Sequence, residues 1–154
     1  MRLFLGIVLL VICTYVGYIK SNKYYFRKVF YDDFVRFNSK LKQEVAFKQG
    51  TIKNLLDNEK NQTDFIIGLK NIFSNIQNDD KKIYYLDEDE LKEYKTYISN
   101  IGTGDKSLMI EYLQSVDESM INKQKQCVLE EKKYKALYVK LGFFVGLIML
   151  ILVL

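Results

Sequence analysis

Two apolar runs, one at each end of this 154-residue chain, constrain its fold more than any other feature. Residues 3–19, LFLGIVLLVICTYVGYI, are 17 residues without a charge, the lower limit for crossing a hydrocarbon core about 30 Å thick. This is the pattern of a membrane helix. A cleaved secretory signal fits less well, because Arg2 is the lone basic residue before the run and no pair of small residues makes a cleavage site after it. A lipidated cysteine is excluded by Leu10, Val11 and Ile12, which precede Cys13 where a small residue is required.

The second run, ALYVKLGFFVGLIMLILVL, covers residues 136–154. Beyond Lys140 there are 14 residues, about 21 Å of helix. Residues 136–139 must then also enter the bilayer, with the Lys140 ammonium reaching back to the interface. A helix packed in a soluble core would be amphipathic, and residues 142–154 carry no polar side chain on any face. Gly142 and Gly146, spaced G-x-x-x-G, permit close approach by another membrane helix, and Gly6 and Gly17 lie near one face of the first span.

Lys20, Lys23, Arg27 and Lys28 follow the first run, and Lys132, Lys133, Lys135 and Lys140 precede or edge the second. By the bias of basic residues toward the cytoplasm, residues 20–135 are expected inside and both termini outside. A reducing compartment also suits two unpaired cysteines, Cys13 and Cys127.

Residues 20–135 are enough for one modest helical domain. Phe26, Phe30, Phe34, Phe37, Leu41 and Val45 recur every three or four positions, one stripe along a helix continuing from the first span and stopping near Gly50. Thr51 caps a short helix with Ile52, Leu55 and Leu56. Thr63 or Asp64 starts another, with Phe65, Ile66, Leu69, Ile72, Phe73 and Ile76 inward. After the polar residues 78–80, residues 83–86 read as a helical turn or packed connection, since a lone strand has no partner. Residues 86–101 form a helix with Leu91, Tyr94, Ile98 and Ile101 inward. Asp105 caps the longest helix, whose inward residues are Leu108, Met109, Tyr112, Leu113, Val116, Met120 and Cys127. The expected fold is an all-α, membrane-anchored bundle of about five to six helices, with transmembrane helices at residues 3–19 and 136–154.

The absence of His removes Ser-His-Asp and Cys-His catalysis, and two cysteines are too few for a zinc ribbon. Residues 102–107, GTGDKS, resemble a phosphate loop only until Asp105, which interrupts the Gly-Lys-Ser succession and would repel phosphate. The acidic run at residues 87–90 lacks the EF-hand glycine at its sixth position, Lys92, and suits the start of a helix instead. Twelve Tyr and ten Phe fall mostly at core spacing, and charges of both signs are interspersed, which disfavours nucleic-acid binding. No enzyme activity, cofactor, metal or small-molecule substrate is expected. A small membrane enzyme using Tyr, Lys and carboxylates, or a pore former, remains the alternative.

Several segments together resemble the stage III sporulation protein AB family of endospore-forming Firmicutes. The first span with its following Arg27 is similar to that family's anchor. Residues 41–47, LKQEVAF, resemble its L-x-x-E-I-x-Y; residues 101–105, IGTGD, its L-G-x-S-D corner; and residues 138–142, YVKLG, its Y-x-x-L-G entry to the second anchor. The chain departs from the family at Met109, where a Gln is usual, and in having no Pro. The resemblance implies a non-enzymatic part of a complex spanning the two membranes between mother cell and forespore. It also implies a cytoplasmic domain similar to those of type II secretion platform proteins. Its expected partners are a cytoplasmic ATPase, sister membrane subunits and membrane lipid. Glu44, Gly102 and Asp105 are then candidates for partner contact.

Overall fold

A chain without proline and with few glycines outside its apolar ends can run long helices, and it does. The computed structural model describes residues 2–48, 52–59, 63–73, 83–101 and 105–153. Helix α1 (Arg2–Gln43) runs 42 residues and passes into a π-helical turn at Glu44–Lys48, followed by α2 (Ile52–Asp57), α3 (Asp64–Phe73), α4 (Glu88–Asn100) and the 48-residue α5 (Lys106–Val153). Among the described residues there is no strand. The fold is all-α, as the periodicity requires. Residues 83–86 form a turn closed by the Leu86 amide donating to the Ile83 carbonyl at 3.0 Å.

The chain divides into two compact units. Met1–Lys28 pairs with Gln126–Leu154, and Val29–Lys125 forms the other, here called the head.

In the first unit the end of α5 runs antiparallel to the start of α1. Arg27 Nη1 donates to Glu130 Oε2 at 2.7 Å, and Lys28 lies 3.4 Å from Glu131. Tyr24 stacks on Tyr134 and Tyr138 at centroid distances of 5.0 and 5.8 Å. Within the apolar windows of α1 and α5 only 17% and 6% of residues are buried. Phe4, Ile151 and Leu152 are 74%, 65% and 75% exposed. Leaving that much apolar surface in water would be costly, so these two helices fit membrane association rather than a soluble core.

The head is built around aromatic rings. Phe30, Phe34 and Phe37, one stripe of α1, are all buried together with Phe65 and Leu69 of α3 and with Tyr94 and Tyr97 of α4. Phe65 links α3 to both neighbours: its ring stacks on Phe34 at 4.9 Å and meets Phe30 edge-on at 5.4 Å and Tyr94 at 5.5 Å. Offset and edge contacts of this kind suit the charge distribution of aromatic rings and add to the roughly 1.5–3 kcal/mol gained by burying each one. Leu113 and Met120 of α5 complete the core.

The inward stripes are correct in direction but not always in extent. Ile72 is 50% exposed, because it lies a turn beyond Leu69 and one residue from the end of α3. Leu108 is 63% exposed: it sits about 100° around α5 from its buried neighbour Met109. Phe26 belongs to the first unit and is 40% exposed. Tyr97 and Glu90, not expected inward, are both buried. Gly50, Thr51, Ile76 and residues 78–80 lie outside the described residues.

Candidate partner-binding surface and intramembrane contact

The glycine positions of the two apolar helices meet within the chain itself. A methyl group placed on Gly17 would stand 2.6 Å from the Tyr138 carbonyl oxygen and 3.2 Å from Gly142 Cα. One on Gly142 would be 2.7 Å from the Cys13 carbonyl oxygen, and one on Gly146 2.9 Å from Leu10 Cα. Any side chain at these three positions would force the backbones apart. Gly6 is less tight, 3.3 Å from a Leu150 side-chain atom. The partner of Gly142 and Gly146, left open by the G-x-x-x-G spacing, is therefore the first apolar run of the same chain. Small residues let helices approach closely enough for dense van der Waals packing, the main attraction between helices in lipid.

In the head, two of the three candidates for partner contact are described, and their segments come together. Glu44 opens the π-helical turn. Asp105 sits just before α5, where its backbone carbonyl accepts from the Met109 amide at 3.0 Å and its carboxylate accepts from the Lys106 amide at 2.8 Å. It is thus at the N-cap, satisfying an amide that has no partner within the helix. The next residue makes the link: Lys106 Nζ donates to the Ala46 carbonyl oxygen at 3.0 Å, tying the start of α5 to the π-helical turn. Gly102 lies outside the described residues. Met109 is buried.

Phe47, on the same turn, is 85% exposed. With Lys40, Gln43, Glu44, Leu55, Asn58 and Glu59 it lines an open cleft of about 540 Å³. Glu59 is buried and held by ion pairs to Arg36, at 3.2 Å, and to Lys40. Phe47 had a readable signal, since it is a large apolar residue off the Phe37-Leu41-Val45 stripe. Lys106 had none, because its bond spans 60 positions.

Behind this end of the head lies a buried polar network centred on Asn38. Asn38 Nδ2 donates to the Leu113 carbonyl at 3.0 Å and to Asp117 Oδ1 at 2.9 Å, while Asn38 Oδ1 accepts from the Tyr97 hydroxyl at 3.2 Å. Lys42 Nζ bonds the other Asp117 oxygen at 2.7 Å. A second buried contact joins the Tyr31 hydroxyl to Glu90 Oε1 at 2.8 Å, and Glu90 Oε2 accepts from the Asp87 amide at 3.0 Å to close a capping box on α4. The acidic run thus begins a helix, as its position suggests.

A family model described as stage III sporulation protein AB matches residues 2–154, from the first apolar helix to the end of the chain. The chain belongs to the stage III sporulation protein AB family. That membership places its role in sporulation. No curated protein and no solved structure matches the chain.

Proposed function

We propose that this member of the stage III sporulation protein AB family is a non-enzymatic membrane component of a transenvelope, secretion-like complex between mother cell and forespore. In this reading its head faces the mother-cell cytoplasm and serves as an assembly platform for an ATPase and sister membrane subunits. The observation that carries it is the exposed end of the head, where Phe47, Glu44 and the start of α5 are tied together by the Lys106–Ala46 bond. Exposed aromatic side chains of this kind are enriched in protein–protein interfaces.

The test is co-purification of the full chain, in detergent, with a candidate ATPase from neighbouring genes. Association is expected for the unaltered chain and should be lost with Phe47→Asp, while the circular-dichroism melting curve stays unchanged. Absence of association, together with spore formation that survives deletion of the gene, would overturn the proposal.

A further inference from the structure

The two units differ sharply in charge. Met1–Lys28 with Gln126–Leu154 holds nine basic and two acidic residues, a net +7, whereas Val29–Lys125 holds 14 basic and 17 acidic, a net −3. The charges of residues 20–135 are therefore sorted rather than evenly mixed. Apart from Arg2, the cations of the first unit all lie in residues 20–28 and 132–140, at the inner edges of the two apolar runs.

Antiparallel pairing sets those two stretches side by side, as the Arg27–Glu130 bond and the Tyr24–Tyr134 stack show. Both carboxylates are already engaged, Glu130 by Arg27 and Glu131 by Lys28 and Lys135. Lys20, Lys132, Lys133 and Lys140 are exposed, and no ion pair among the described residues involves them. Exposed aromatic residues accompany them: Tyr18, Tyr25 and Phe26 are 40–50% exposed, and Lys133 lies 5.3 Å from the centre of the Tyr134 ring.

We propose that this collar binds the phosphate headgroups of anionic phospholipids. Four uncompensated ammonium groups beside an aromatic girdle, at the edge of an apolar surface, match an interface that offers negative charge above hydrocarbon. The head, by contrast, carries a net −3. A cation held at an anionic bilayer surface contributes about fivefold in affinity, so four together give a selectivity that survives partial screening.

The experiment uses the full chain in detergent with an equimolar mixture of phosphatidylglycerol and phosphatidylcholine, and reads the lipids retained after purification by mass spectrometry. Phosphatidylglycerol should be enriched at least about tenfold. The enrichment should collapse as salt rises from about 0.01 M to about 1 M, which shortens the screening length from about 30 Å to about 3 Å. The combined variant Lys20→Gln, Lys132→Gln, Lys133→Gln and Lys140→Gln should lose it, while Lys53→Gln with Lys92→Gln, in the head, should keep it. Equal retention of both lipids would overturn the proposal. So would enrichment insensitive to salt, an equal loss in the head variant, or displacement of the lipid by millimolar inorganic phosphate. The salt titration decides the matter even if the fourfold variant fails to fold.

Discussion

Asn38 shows how one side chain can join three helices. It is fully buried on α1, and its amide spans α4 through the Tyr97 hydroxyl and α5 through the Leu113 carbonyl and Asp117. Asn38→Leu should lower stability by about 1–3 kcal/mol, since it strands the Tyr97 hydroxyl away from water. Tyr97→Phe in that background should add less than it costs alone, a coupling measurable by denaturant unfolding of the four members of the cycle. Asp105→Ala should cost about 0.5–2 kcal/mol, the range of helix caps. A value near the lower end is expected, because its carboxylate reaches the first amide of α5 rather than a deeper one. An unchanged melting temperature would show that Asp105 does not hold the cap.

At the scale of elements, the pairing of α1 with the end of α5 rests on glycine. The Cβ of a residue replacing Gly6 would lie 3.8 Å from Leu150 Cβ, the mean separation in disulfides. Gly6→Cys with Leu150→Cys, in a background of Cys13→Ser and Cys127→Ser, should therefore oxidise to an intramolecular disulfide, visible as a faster-migrating band on non-reducing gels. Adding Gly146→Leu should suppress that band by wedging the helices apart. Cross-linking only between separate chains would show that the helices pair between molecules instead. Residues 136–154 announce an apolar helix plainly, and the G-x-x-x-G spacing marks its contact face. Which helix fills that face is a question of pairing across more than a hundred positions, and no local pattern contains it.

At the scale of the whole molecule, the head's stability should depend on alkaline pH. Tyr85, Tyr94 and Tyr97 are all held above the ordinary phenol value of 10.0, chiefly because burial disfavours the phenolate. Tyr85 gains further from donating to Asp64 Oδ2 at 2.8 Å. Folded phenols keep protons that the unfolded chain releases above pH 10. Their contribution is therefore complete below that value and is lost as pH rises beyond it. The melting temperature should be insensitive to these groups up to about pH 10 and fall steeply above it, and Tyr94→Phe should make the fall shallower. Equal steepness in both proteins would remove Tyr94 from the account.

The sequence alone determined the class of this protein. Uncharged terminal runs, three- and four-residue periodicity and the lack of proline are local properties, and local backbone preference with one-dimensional hydrophobic patterning is enough to make them anchors and helices. It also marked Asp105 as a cap, and residues 87–90 as the start of a helix. Tertiary structure alone decided that Phe65 packs on Phe34, that Lys106 reaches Ala46, and that Gly142 packs against Gly17. It also drew the line between a basic collar and an acidic head. All of these depend on which distant segments meet, and that choice is made by shape, burial and charge pairing in three dimensions, where neighbours along the chain have no special weight.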